Sequence, residues 1–320
     1  MAKTKYTAQS KGILFSIFFL CTSSSIIGQG QGSDDPGLKF TYFGAAGWEL
    51  SDDKVTVLID PYLSRLKLGN SPANSEIDQR KSFFPTDIYL PDTVMIENTI
   101  KNADYILVHH SHVDHLGDVP YIANKTGAKV IGTETTTNIL RAYGIPEDQL
   151  LTVRGGEDYQ FQSLSVRVIP SIHSALGGKH YFDSREHKDW SKLNAPLKLK
   201  DFVEGGSLMF LIRFKNHKVL TAGSMNYIER ELIGLKPDIL LPGVNFSRLE
   251  IFKYTERLLT LTGFPKTIIP SHWDNFRVPY GFSQEEALDT KVKPFIEEVK
   301  AVSPNSKVIV PSHLKTIVIE

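Results

Sequence analysis

The segment Tyr105-Ile106-Leu107-Val108-His109-His110-Ser111-His112-Val113-Asp114-His115-Leu116-Gly117-Asp118 joins a four-residue apolar run to a cluster of metal-binding side-chain types. Residues 105–108 read as a buried strand, and a buried strand that ends in polar residues delivers them to a sheet edge. His110, His112, Asp114 and His115 fall within six residues. Histidines two apart in the turn after a strand can converge on one ion, while Asp114 and His115, where Leu116-Gly117 turns the chain into a helix, can face a second. Imidazole and carboxylate are good zinc ligands, at about 2.0–2.2 Å. A lone histidine is more often a satisfied core or surface residue, but that reading does not explain four donors this close together.

Working outward, β-branched and aromatic content between turn residues predicts strands at 39–43, 55–59, 105–109, 129–131, 164–169, 207–214, 218–221, 239–241, 267–269 and 307–310. Helical periodicity is best at 115–126, 135–143, 248–262 and 283–301, where Ser283 and Glu286 fit a capping box. Strands come first in pairs and later alternate with helices, twice over. The order predicts an α/β chain with two sheets face to face and helices outside. Segments 62–100 and 174–205 show neither period and read as long loops, which are more often functional than idle.

His110-x-His112-x-Asp114-His115 resembles the signature of the metallo-β-lactamase superfamily. Further pieces follow in order: Val57-Leu58-Ile59-Asp60-Pro61, His173 after Val168-Ile169-Pro170-Ser171-Ile172, and His272 in Ile268-Ile269-Pro270-Ser271-His272-Trp273-Asp274. The last motif, with Tyr42-Phe43-Gly44, is most similar to the branch containing ascorbate-phosphate lactonase and N-acylphosphatidylethanolamine phospholipase D. The resemblance implies a four-layer αββα sandwich over residues 38–320. It also implies one metal ion on His110, His112 and His173 and a second on Asp114, His115 and His272. Zinc is the expected metal, as one or two ions, with Mn2+ or Fe2+ as alternatives. Asp114 would anchor the second ion and orient the nucleophile, a hydroxide formed because zinc lowers the pKa of bound water from 15.7 to about 7. No Gly-x-Ser-x-Gly nucleophile motif or phosphate loop competes with this assignment.

One position departs from the family pattern. The family usually supplies a bridging aspartate after Ala-Gly, whereas Leu220-Thr221-Ala222-Gly223 here continues with Ser224. A neutral hydroxyl is a poorer ligand than carboxylate, so the second ion would bind more weakly or be bridged by hydroxide alone. Asp60, Asp118 and Asp274 are candidates to accept a ligand histidine's other ring proton, Asp60 foremost. His109 is expected to pack beside the site with its side chain on the opposite sheet face from His110. His180, His187, His217 and His313 lack motif context and read as surface residues.

Composition bounds the setting. With 36 basic and 36 acidic residues there is no global field to attract nucleic acid, and none is expected as a partner. Residues 1–30 carry Lys3, Lys5 and Lys11, no acid, and an apolar run over 13–21, the layout of a secretory signal peptide. That run falls short of the roughly 20 apolar residues a membrane span needs. The expected product is therefore a secreted or periplasmic protein with no stable span after cleavage, a polar linker at 31–37 and 36 acidic against 36 − 3 = 33 basic residues. The only cysteine, Cys21, lies in this leader. Bulky Phe19 and Leu20 before it argue against a lipid anchor there.

The expected activity is a metal-dependent hydrolase acting on an ester, lactone or phosphodiester, hence a small-molecule or lipid-like substrate. Gly177-Gly178-Lys179-His180-Tyr181-Phe182 and Trp190 form either a lid over such a substrate or a packed surface insertion. Export and Ser224 favour a β-lactam as the alternative substrate. A non-catalytic metal- or ligand-binding protein on the same scaffold is the other alternative.

Overall fold

A computed structural model describes residues 37–69, 78–177 and 183–320. The leader reading at 1–30, Cys21, the linker up to residue 36, and residues 178–182 with His180 lie outside the described residues.

Along the first strands, side chains alternate between two apolar cores, as the period of two requires. Val57, Ile59, Leu107 and Ile131 enter one core, and their neighbours Leu58, Ile106, Val108 and Val130 enter another. The strands carrying them are β1 (Leu38–Gly44), β2 (Gly47–Ser51), β3 (Thr56–Ile59), β4 (Tyr105–Leu107), β5 (Lys129–Gly132) and β6 (Leu150–Thr152). A second sheet holds β7 (Asp158–Gln160), β8 (Ser165–Ser171), β9 (Ser207–Arg213), β10 (Lys218–Ala222), β11 (Ile239–Leu241), β12 (Thr267–Ile268) and β13 (Lys307–Val308), and β14 (Thr316–Ile319) returns to the first. Among the described residues the orders are β14-β1-β2-β3-β4-β5-β6 and β13-β12-β11-β10-β9-β8-β7, seven strands each. Each sheet is antiparallel at one end and parallel at the other: β3 to β6 run parallel, as do β10 to β13.

Helices α1 (Thr93–Thr99), α2 (Val113–Leu116), α3 (Val119–Thr126), α4 (Glu134–Ala142), α5 (Glu229–Leu232), α6 (Tyr254–Thr262), α7 (Glu285–Ala287) and α8 (Lys293–Val302) complete the order. Ile96, Ile122, Ile139 and Leu140 bring α1, α3 and α4 onto the outer face of the first sheet. Leu258, Leu259, Phe295 and Val299 bring α6 and α8 into the core that the second sheet shares. This is the expected αββα sandwich. Among the described residues no helix is long and apolar enough to cross a membrane.

Three predicted helices are broken in the structure. The 115–126 helix splits at Gly117-Asp118, where Asp118 turns its carboxylate inward and Pro120 opens α3 without an N–H to donate. The 248–262 helix is interrupted at Lys253, which sits in the left-handed region at φ +48°. The 283–301 helix widens into a π-turn over Leu288–Val292, just ahead of Pro294. Proline can neither donate to nor clear the carbonyl four residues back, and a π-turn absorbs the misfit. The Ser283–Glu286 capping box does not form, since the N-cap residue is Gln284 and makes no side-chain cap.

Candidate metal centre

The loop after β4 is pinned on three sides before any ligand is considered. Ser111 N donates to Glu204 O at 2.9 Å and Leu208 N to His109 O at 2.8 Å. Ser111 Oγ and Thr136 Oγ1 lie 2.8 Å apart. These bonds tie the histidine loop to the start of β9 and to α4, so His110 and His112 are aimed by backbone rather than by side-chain packing alone.

Tertiary structure adds the distant donors. His173 follows the end of β8, and His272 follows β12 with its backbone N–H donating to Ala45 O at 2.7 Å. His272 and Asp60 are non-glycine residues at positive φ, +53° and +41°. Such conformations cost about 1–3 kcal/mol and persist where the surroundings over-determine them. His110, His112 and His173 form one group of donors, and Asp114, His115 and His272 another, with the donor atoms within each group no more than 4.8 Å apart. All six line one cavity of about 650 Å³, together with Ser224.

The donor spacings lie within a few tenths of an ångström of what a shared metal requires. His110 Nε2 and His112 Nδ1 stand 3.0 Å apart. Asp114 Oδ2 stands 3.4 Å from His272 Nε2 and 3.7 Å from His115 Nε2. Two ligand atoms on one tetrahedral zinc are about 3.3–3.6 Å apart at the usual bond lengths. Soft-to-borderline imidazoles with one carboxylate suit zinc, and also manganese or iron.

The two groups differ in charge. Burial, then repulsion from His115, His112 and His173, holds His110 well below the usual imidazole range. Burial likewise lowers His112, against the pull of Asp114, and with His112 brings His173 to about 3. Burial would depress His115 too, but Asp60 and Asp114 outweigh it and raise its pKa. Burial would raise Asp114, yet His115 and His272 hold it well below the carboxylate range.

Behind the second group lies a hydrogen-bond chain. Asp60 Oδ2 is 2.6 Å from His115 Nδ1 and 2.5 Å from His109 Nδ1. Its other oxygen accepts the His109 backbone N–H at 2.8 Å. His109 Nε2 continues to Thr221 Oγ1 of β10 at 2.8 Å. Burial pushes Asp60 up, but the two imidazoles more than reverse this and hold it at about 2. Asp60 thus stands where a histidine's outer ring proton is accepted. His109 belongs to a chain that joins both sheets, a larger part than the neighbour expected from its position.

The other aspartates do something else. Asp118 is fully buried and accepts from Leu63 N at 2.6 Å, Ser64 N at 2.9 Å and the hydroxyls of Ser64 and Tyr89 at 2.5 Å each. It anchors the 62–64 turn and Tyr89 through these four bonds. Asp274 is also buried and takes Arg65 Nη1 at 2.8 Å, Tyr42 OH at 3.0 Å, Ala45 N at 2.8 Å and His313 Nε2 at 2.9 Å. His313 is therefore not a surface residue: it pairs with Asp274 and its ring stacks on Tyr42 and Trp273. His187 belongs to neither donor group: its Nε2 lies 2.7 Å from the Asp201 carbonyl oxygen. His217 lies 3.6 Å from Asp238.

Ser224 is buried, and its Oγ accepts from Ser174 N and contacts Ser174 Oγ, both at 3.3 Å. The serine therefore lines the cavity while tied to the turn after His173. Sequence reasoning did not find Asp183, whose Oδ2 is 3.8 Å from His112 Nε2 and which Arg185 grips at 2.7 Å and 2.8 Å. An acid 71 residues beyond His112 carries no local signal.

A match to the beta-lactamase superfamily domain spans residues 39–255, more than half of the chain, and the chain belongs to that superfamily. A UPF0173 metal-dependent hydrolase of Archaeoglobus fulgidus is 26% identical over 271 residues, covering 83% of this chain and 96% of its own. Another, from Thermodesulfovibrio yellowstonii, is 27% identical over 282 residues, covering 82% and 89%. Among solved structures, Igni18, a metallo hydrolase from Ignicoccus hospitalis, shares the fold with a TM-score of 0.56 at 19% identity, over 88% of this chain and 98% of that one. The isothiocyanate hydrolase from Delia radicum gut bacteria does so with a TM-score of 0.52 at 15% identity, over 88% and 98%. The protein is a metal-dependent hydrolase of the metallo-β-lactamase fold.

Proposed function

We propose that the protein binds two zinc ions in the 650 Å³ cavity and hydrolyses an ester, lactone or phosphodiester, acting outside the cytoplasm after loss of its leader. The observation that carries this reading is the convergence of six donors, from residues 110 to 272, into two three-residue groups in one cavity wall. His110, His112 and His173 would hold one ion, and Asp114, His115 and His272 the other. When bound, zinc would supply a water whose pKa is lowered to about 7 and Lewis-acid polarisation of the substrate.

The chain's own residues then set direction. Asp114, kept ionised, faces His115 and His272 and would anchor the second ion and orient the attacking water. Asp60 holds His115 through Nδ1, which leaves Nε2 for the cavity. His173 is oriented in the same manner by Nδ1 against Ser174 O at 3.1 Å. The similarity of the Pro270-Ser271-His272-Trp273 motif to the lactonase and phospholipase branch supports a lactone or phosphodiester over a β-lactam.

The test is metal analysis of the purified protein with a panel of nitrophenyl phosphodiesters, acyl lactones and a chromogenic cephalosporin. Turnover should vanish with chelator and return with zinc, and His112→Ala should lose at least about 100-fold in kcat/KM. Undiminished hydrolysis by His112→Ala refutes the proposal. Opening of the cephalosporin alone replaces the substrate class, and bound metal with no turnover leaves a binding protein.

A further inference from the structure

The cavity wall that includes Phe246, Ser247, Arg277, Gln284 and Lys291 holds donors with no acceptor among the described residues. Gln284 is oriented by its Oε1, which accepts Asn275 N at 2.7 Å. That leaves its Nε2 buried and, among the described residues, without a partner. Ser247 is buried, and among the described residues its Oγ also lacks a partner. Unmet buried polar groups are destabilising and call for an explanation. Both residues line the same cavity as the six metal donors.

Two cations line this wall as well. Lys291 is half-buried on the π-turn Leu288–Val292, with Nζ 5.3 Å from the Phe246 ring centroid. π-Turns are rare and gather at functional sites. The Arg277 guanidinium lies 6.0 Å from the Phe276 ring. Among the described residues neither cation makes an ion pair or a side-chain hydrogen bond. Burial lowers the Lys291 pKa, against the pull of Asp274 and Glu286. Asp274 is already matched by Arg65 and His313. Glu286 is exposed, lines the same cavity and makes no ion pair among the described residues, so the wall carries two cations against this one unpaired carboxylate. An ammonium, a guanidinium, an amide N–H and a hydroxyl together form a donor set for anionic oxygens.

We propose that Lys291, Arg277, Gln284 and Ser247 form a subsite for an anionic oxo group, a carboxylate or phosphate, carried by the substrate whose scissile bond lies at the metal donors. The subsite deepens the hydrolase reading and rests on it. It narrows the substrate to an anionic ester, lactone or phosphodiester, with the charge set apart from the bond that breaks. Phe246 and Phe276 beside the cations suit an apolar stretch between charge and reacting centre.

The test compares nitrophenyl butyrate with mono-nitrophenyl glutarate, and a neutral lactone with its phosphorylated counterpart, on the protein as purified. Its readout is the ratio of kcat/KM for the anionic over the neutral member. Lys291→Gln should lower that ratio about tenfold or more and Ser247→Ala several-fold, while the exposed, distant Lys300→Gln leaves it unchanged. The glutarate and phosphate arms tell which anion the subsite prefers. A ratio unaltered in both Lys291→Gln and Ser247→Ala overturns the subsite even if hydrolysis is vigorous. If no substrate turns over, calorimetry with glutarate and inorganic phosphate decides. Binding weakened at least about fivefold by Lys291→Gln upholds the subsite while the hydrolase reading fails, and equal binding overturns it. Circular dichroism of each variant confirms that it is folded before the ratio is read.

Discussion

His110, His112 and His173 face one another as three imidazoles that burial keeps neutral, whereas Asp114, His115 and His272 set a carboxylate among imidazoles with Asp60 behind them. The first group needs no proton to leave before a cation enters. The second stores an internal ion pair, since His115 is raised by the same acids that would help bind the metal. One wall therefore holds a neutral site ready at ordinary pH beside a charged site in which metal and proton compete. Ser224, in the position that would bridge them, adds no charge to either.

The largest expected effect comes from removing the acid behind the second group. Asp60→Ala strips His115 and His109 of their shared acceptor, and should weaken the second ion by about 10–100-fold while sparing the first. Stepwise metal titration with spectroscopic cobalt checks this, and equal loss at both sites would erase the distinction between the groups.

Acidity sharpens the same contrast. Because the His115 pKa is raised, its proton must be displaced for Nε2 to act as a donor, so affinity at the second group should fall as pH drops through that value. With one competing proton the fall is about tenfold per pH unit. The first group, with His110, His112 and His173 all lowered, should change little between pH 8 and about 6.5. Titrations at several pH values measure both slopes, and parallel slopes would contradict the assignment.

The smallest effect belongs to the bridging position. Ser224→Asp adds a carboxylate between the groups and should tighten the second ion several-fold, toward its neighbour. Unchanged occupancy by metal analysis would mean that the side chain at position 224 does not face the metals.

Much of this site was readable because its core is local. Four donors lie within six residues after an apolar strand, and no fold is needed to bring His110 near His115. His173 and His272 were legible only through resemblance, since their relation to the loop depends on where β8 and β12 end. Strands β2, β6, β7 and β14 went unread. β2 contains Gly47, Glu49 and Ser51 within five residues, and β14 alternates between exposed and half-buried side chains at a sheet edge, so each owes its extended form to its neighbours. The reading of 93–99 as loop failed because only Ile96 of that helix is buried, too little to show a period.

Sequence alone determined the chemistry available: which residue types stand at the strand end, that serine follows Ala222-Gly223, and that apolar strands alternate with helices. These are properties of neighbours in the chain, and short-range sterics and periodicity express them directly. Tertiary structure decided the charge of each site, the link from Thr221 through His109 to Asp60, the burial of His313 against Asp274, and the unmatched donors around Lys291. Each of these joins residues tens to hundreds of positions apart, and the strength of a charge or hydrogen bond is set by the low-dielectric surroundings that only the folded chain creates.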